Sequence, residues 1–174
     1  MKKAIFLDRD GVINKLIVRN GKKQAPYHID EFELLEGVTE AVLEFKKAGF
    51  LTVVVTNQPD VKRGWVEKES VELMNQLVQN KLEIDHIEVC YHDNLDNCFC
   101  RKPNPGMLLS ASQKLEISTS DSFMIGDRYG DVLAGKLAGC KTFLVGEGDN
   151  QGDLPTPDYK VSSLLEAAKI ILMK

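Results

Sequence analysis

Apolar positions along the chain follow two alternating patterns. Short, largely apolar runs fall at residues 4–7, 50–55, 87–90, 122–125 and 141–145. Runs of this length, several rich in β-branched residues, are what strands buried on both faces require. Between them, residues 37–48, 65–82, 108–115, 131–138 and 162–173 read as helices. The first shows the period clearly, with Val38, Ala41, Val42 and Phe45 on one face and Gly49 closing it. Pro105 and Gly106 stand near the start of the third helix. Strands alternating with helices predict an α/β fold, a doubly wound, Rossmann-like parallel sheet. Two stretches fit neither period. Residues 10–27 read as a hairpin or flap turning at Asn20-Gly21-Lys22-Lys23, and residues 146–157, rich in Gly, Pro and Asp, read as a loop. With no repeat, low-complexity tract or linker, residues 1–174 are expected to form one domain.

Composition narrows the function classes. Hydrophobic content of 43% and charged content of 28% are ordinary for a globular chain, and a net charge of −4 gives no electrostatic reason to bind nucleic acid. No apolar run is long enough to span a bilayer, and Asp8 and Asp10 interrupt the first run too early for a secretory leader. A cytoplasmic monomer acting on a small molecule is the expectation, with no nucleic-acid or membrane partner.

Polar clusters punctuate the strand ends: Asp8/Asp10, Thr56/Asn57, Arg101/Lys102 and Asp127/Asp131. Ligands of open α/β sheets bind beyond the carboxyl ends of the strands. Two carboxylates one residue apart repel each other there, and a cation or a shared proton relieves the cost. Alone, each cluster also reads as a solvated turn or a helix cap. Together they offer carboxylates for a cation, a hydroxyl and an amide for an anion, and basic groups for further negative charge. That inventory suits phosphoryl transfer.

The ordered motifs Asp8-x-Asp10-Gly11, Thr56, Lys102-Pro103 and Gly126-Asp127-x-x-x-Asp131 resemble those of the haloacid dehalogenase superfamily of phosphotransferases. The resemblance implies that Asp8 is the nucleophile and Asp10 the acid and base. It implies Mg²⁺ held by Asp8, the backbone carbonyl of Asp10, and Asp127. Thr56 would bind phosphoryl oxygens, Lys102 would neutralise developing charge, and Asp131 would orient Lys102 or a metal-bound water. The spacing from Asp8 to Thr56 and from Thr56 to Lys102 leaves room for flaps and a helix but not for a cap domain. Receiver domains also place acidic residues, a Thr or Ser and a Lys at strand ends, but cluster adjacent acidic residues early. A catalytically silent phospho-ligand-binding module is the alternative from another class; the intact Asp8, Asp10, Lys102 and Asp127 favour an enzyme.

Three of the four cysteines crowd with a histidine in Cys90-x-His92-x₅-Cys98-x-Cys100. Three thiolates and an imidazole make a full tetrahedral set for Zn²⁺, leaving no open position, so the zinc is expected to be structural and the zinc loop to span residues 90–101. Cys140 reads as a small core residue. The last zinc ligand directly precedes Arg101-Lys102, so the loop sets the position of both. The run Cys98-Phe99-Cys100-Arg101-Lys102-Pro103-Asn104-Pro105-Gly106-Met107, with Asp8-Arg9-Asp10-Gly11 and Thr56-Asn57-Gln58, closely resembles the heptose 1,7-bisphosphate 7-phosphatases, with the histidinol-phosphate phosphatases as close relatives. That likeness implies removal of one phosphate from a heptose bisphosphate, with Asn57, Gln58, Arg101, Lys102 and Arg128 contacting substrate. The flap, about residues 12–28, departs from the family pattern in being longer and more basic (Lys15, Arg19, Lys22, Lys23), and Asp60-Val61-Lys62 departs as well. The flap's basic residues are open to two readings, a grip on a second phosphate or a solvated hairpin.

Overall fold

The computed structural model describes residues 1–149 and 155–173. Six strands form a parallel sheet: β1 (Ala4–Leu7), β4 (Leu51–Asn57), β5 (His86–Cys90), β6 (Phe123–Gly126), β7 (Lys141–Val145) and β8 (Tyr159–Val161). Their order is β5-β4-β1-β6-β7-β8, so β1 lies centrally and the chain direction across the sheet reverses beside it. β2 (Ile17–Arg19) and β3 (Lys22–Gln24) form a separate antiparallel hairpin with Asn20-Gly21 at its tip. This is the expected flap. Residues 150–154 of the expected 146–157 loop lie outside the described residues.

Strand alternation divides the core into two layers. Ile5, Leu7 and Val54 face a cluster built with Val38, Ala41, Val42 and Phe45 of α1 (Val38–Lys47) and with Leu164, Ala167, Ala168 and Ile171 of α5 (Leu164–Leu172). Ala4, Phe6, Val53 and Val55 face the other side, against Met107, Leu108 and Ala111 of α3 (Gly106–Leu115) and Ala134 and Ala138 of α4 (Tyr129–Ala138). The central strands are covered on both faces, which is why their sequences are continuous apolar runs rather than alternating ones. Cys140 is buried in the second layer, where burial pushes its thiol up to about 12.

Element ends shift by one to three residues from the sequence reading, and three differences matter most. The helix expected from residue 65 begins at Lys68 as α2 (Lys68–Leu82). The N–H groups of Trp65 and Val66 instead donate to the Asp60 carbonyl, folding residues 59–66 into a compact loop. β4 continues to Asn57 because Thr56 and Asn57 pair with Val89 and Cys90 of β5. β8 was not foreseen: it is a three-residue edge strand paired with β7, its Val161 packed in the core with α5.

Candidate active site

The central position of β1 brings the ends of β1, β4 and β6 together at the topological switch point. Asp8 follows β1, Thr56 and Asn57 end β4, and Asp127 follows β6. The close approach of the first and last depends on Gly11, which has φ +88°; a Cβ there would lie 2.3 Å from Asp127 Oδ2. Only glycine accepts both that dihedral and that neighbour without strain.

Asp8, Asp127 and Asp131 bring carboxylate oxygens within 4.8 Å of one another. Lys102, buried among them, donates from Nζ to Asp8 Oδ1 at 2.8 Å and to Asp131 Oδ1 at 2.6 Å. Asp131 Oδ2 accepts the Arg128 backbone N–H at 3.0 Å, so both of its oxygens are committed. Burial alone would pull the Lys102 ammonium down, but Asp131 and Asp8 hold it above its ordinary value. One ammonium does not neutralise three carboxylates. Burial raises the Asp8 carboxyl to about 6, against the pull of Lys102. Burial, then Asp8 and Asp131, raise Asp127 to about 8. Asp127 Oδ1 is buried and has no hydrogen-bond partner among the described residues. An orphaned carboxylate oxygen beside a second crowded carboxylate is the environment that a hard cation with oxygen preference satisfies.

Asp10 is held quite differently. Its Oδ1 accepts from Arg9 Nε at 3.2 Å, Arg9 Nη2 at 3.0 Å and Asn14 Nδ2 at 2.9 Å; its Oδ2 accepts from Gln58 Nε2 at 2.7 Å. Arg9, for which the sequence reading found no role, is fully buried and also donates to Asn75 Oδ1 of α2 at 2.9 Å. Replacing Arg9 with Met should strand Asp10 and Asn75. Breaking a buried ion pair costs about 3–5 kcal/mol, and Asp10 is open enough to put this case near the lower value. Thermal unfolding should show a Tm lowered by roughly 10 °C. A fall under about 2 °C would mean that repacking replaces the pair.

The other expected site residues are brought to the same edge, several with their side chains already occupied. Asn57 clamps the Lys102 backbone from both sides, donating to its carbonyl at 3.0 Å and accepting its N–H at 3.1 Å. Gln58 bridges Asp10 and the Thr56 hydroxyl, 3.0 Å away. Thr56 is fully buried beneath the cleft. Arg101 donates to Asn94 Oδ1 at 2.8 Å and to the His92 carbonyl at 3.3 Å. It lines, with Arg128, Asp8, Asp10 and Lys102, a cleft of about 630 Å³. Of the flap's basic residues, Lys15 pairs with Glu33, Arg19 with Glu31, and Lys23 lines the cleft.

Cys90, His92, Cys98 and Cys100 converge beside this cleft, with every cysteine free of disulfides. Five of the six edges between their ligand atoms measure 3.6, 3.7, 3.0, 3.2 and 3.5 Å. A zinc ion with bonds of about 2.3 Å to sulfur and 2.0 Å to nitrogen implies tetrahedral edges of roughly 3.5–3.8 Å. The donor set and its compactness fit that ion. The Arg101 backbone N–H donates to Cys98 Sγ at 3.3 Å, tying the cluster to the residue before Lys102.

A parallel sheet with this carboxylate and lysine cluster at its switch point defines a hydrolase of the haloacid dehalogenase type, and residues 99–167 match the HAD-hydrolase-like family model. The chain is 36% identical to the D-glycero-beta-D-manno-heptose-1,7-bisphosphate 7-phosphatase of Pasteurella multocida, covering 98% of this chain and 97% of the relative. It is 40% identical to the enzyme of the same name from Escherichia coli K12, covering 80% and 76%. The crystal structure of the D,D-heptose 1,7-bisphosphate phosphatase from B. bronchiseptica, complexed with magnesium and phosphate, superposes with a TM-score of 0.85 at 28% identity, covering 98% of each chain. The chain belongs to the family of the heptose 1,7-bisphosphate 7-phosphatases.

Proposed function

We propose that the protein is a cytoplasmic phosphatase that hydrolyses one phosphomonoester of a heptose 1,7-bisphosphate, releasing heptose 1-phosphate and inorganic phosphate. The observation that carries this reading is the buried Asp8, 2.8 Å from Lys102, in a chain that matches phosphatases of that name over nearly its whole length.

Asp8 attacks phosphorus, forming the aspartyl–phosphorus bond as the bond to the C7 oxygen breaks. Asp10 delivers a proton to the departing oxygen, then takes one from the water that attacks the aspartyl-phosphate; that attack breaks the aspartyl–phosphorus bond and restores Asp8. The donors around Asp10 aim its carboxylate, with Arg9 and Gln58 as positioning residues. Lys102 stays protonated between Asp8 and Asp131 and faces the charge gathering on the phosphoryl group. Asn57 lines the phosphoryl site beside the buried Thr56, and Arg101 and Arg128 supply fixed positive charge for the second phosphate. Asp8, Asp127 and the carbonyl of Asp10 are the proposed ligands of Mg²⁺, which when bound neutralises phosphoryl charge and orients the ester. Cys90, His92, Cys98 and Cys100 would hold a structural Zn²⁺.

The raised carboxyls give the Mg²⁺ assignment a test. Their folded pKa values lie above the unfolded ones, so without Mg²⁺ the stability they contribute is complete below about pH 4 and is lost as pH rises through about 6 and 8. Dialysed free of Mg²⁺, the protein should show a Tm that falls between pH 5 and pH 8. Added Mg²⁺ should raise the Tm more at pH 8 than at pH 5. Equal stabilisation at both would argue against Asp8 and Asp127 as ligands.

The reading itself is tested by kcat/KM for the α and β anomers of heptose 1,7-bisphosphate beside histidinol phosphate. One equivalent of phosphate from the heptose, with the 1-phosphate retained and at least a hundredfold preference over histidinol phosphate, is expected. Comparable rates would overturn the substrate assignment.

A further inference from the structure

The chemistry at Asp8 makes no use of Trp65, yet Trp65 stands on the wall of the same cleft. It is the chain's single tryptophan and is 58% exposed. A lone exposed apolar side chain needs no explanation by itself. This one is immobilised. Arg63 lies over the indole at 5.3 Å from the ring centroid. Arg63 is fixed in turn by Asp60 at 3.0 Å and by Asp93 at 2.6 and 2.8 Å. The backbone beneath is closed by the two N–H bonds to the Asp60 carbonyl and by Arg63 N–H donating to the Pro59 carbonyl at 3.2 Å. Val66, next in the chain, is buried in a small cluster with Val71 and Met74, and Tyr27 and Ile29 at the base of the flap pack against the same cluster. The loop carrying Trp65 and the flap carrying Lys23 therefore rest on one apolar foundation, and both line the cleft.

A braced aromatic plane loses little conformational freedom when a ligand is laid on it. The charged groups around Asp8 recognise phosphate but offer nothing to a carbon ring. A pyranose presents a face of C–H groups and an edge of hydroxyls, and only the former gains from an apolar plane. We propose that Trp65 is a specificity-determining residue that packs against the C–H face of the substrate's sugar ring while the reacting phosphate lies at Asp8. This rests on the sugar-phosphate reading above.

Because Trp65 is exposed and outside the core, Trp65→Ala should fold normally. Steady-state kinetics should show KM for heptose 1,7-bisphosphate raised about tenfold, the factor that a 1.4 kcal/mol contact carries. On glycerol 2-phosphate, which has no ring, kcat/KM should stay within about twofold, and Trp65→Phe should restore most of the loss. As a binding readout, heptose 1,7-bisphosphate should shift the tryptophan emission of an Asp8→Asn variant, whereas inorganic phosphate should not. A KM for the heptose within twofold of wild type, an equal loss on both substrates, or an unmoved emission would each overturn the role of Trp65. Absence of wild-type turnover of the heptose bisphosphate would overturn the substrate reading as well; intact wild-type turnover with an indifferent Trp65→Ala variant would overturn Trp65 alone.

Discussion

Asp8→Asn should lower kcat by at least about 10⁴-fold while leaving the fold intact and the Tm unchanged or higher. The amide is nearly isosteric but carries no negative charge to bring to phosphorus, and a missing nucleophile removes the covalent route rather than weakening it. No neighbour is placed to substitute. Both oxygens of Asp131 are taken by Lys102 and the Arg128 N–H, Asp10 is held by Arg9, Asn14 and Gln58 as the proposed proton carrier, and Asp127 is a proposed metal ligand. The stability forecast follows from the same geometry. Burial raises the Asp8 carboxyl to about 6, with Asp131 and Asp10 adding to it against the pull of Lys102, so a neutral amide escapes that desolvation cost while Lys102 keeps Asp131 at 2.6 Å. Active-site groups commonly trade stability for function in this way. Phosphate release and thermal unfolding on one preparation check both halves. Residual activity above about 1% would move the nucleophile away from Asp8, and a clear drop in Tm would mean that the Asp8–Lys102 pair is structural.

Much of the fold was legible because the central strands are buried on both faces. β1 coincides with the apolar run that predicts it, and β7 with its run around Phe143-Leu144-Val145, since a strand covered by helices favours apolar sequence. Legibility fell where local apolar pattern is not what decides structure. β8 alternates over only three residues and exists because β7 offers it an edge. Residues 65–67 carry helical spacing, but the Asp60 carbonyl competes for the N–H groups of Trp65 and Val66 and wins.

At the candidate site, the polar clusters at strand ends and the Cys/His cluster that the structure brings together were visible in the sequence, because their spacing is itself the signal. What escaped was the layer behind them. Arg9, between two aspartates, reads as solvent-facing charge, yet it points into the fold toward α2. One clue was present. Along α2, Asn75 interrupts the buried stripe of Val71, Met74, Val78 and Leu82, and a polar group in an apolar stripe requires a buried partner. Arg9 Nη1, at 2.9 Å, is that partner. Asn57 and Gln58 were read as substrate contacts from the resemblance. Their amides are engaged with the Lys102 backbone and with Asp10, which only the three-dimensional arrangement of β4 against β1 and the zinc loop reveals.

The zinc loop carries the second large expected effect. Cys98→Ala should lose stoichiometric zinc and lower kcat by roughly 10–100-fold. The loop's apolar anchoring is confined to its ends, where Cys90, Cys98 and Cys100 meet the core, while Leu95 and Phe99 are exposed. What orders it is the four-ligand cluster, assisted by Arg63 with Asp93 and by Lys62 with Asp96. Structural zinc in such sites contributes on the order of 10 kcal/mol, far more than exposed ion pairs supply. Removing one thiolate also removes the acceptor of the Arg101 N–H, one residue before Lys102. The loss should stop short of complete inactivation, because Asn57 still grips the Lys102 backbone and Asp131 still grips its ammonium. Core stability should fall less than activity, since Phe6, Val53 and the α3 and α4 residues still pack on one another, with Cys90, Cys98 and Cys100 at the edge of their cluster. Metal analysis should find one zinc per wild-type chain and none in the variant. Full activity in a zinc-free variant, or full zinc occupancy without Cys98, would refute the structural site. A collapse of the whole fold would show that the cluster stabilises the sheet as well as the position of Lys102.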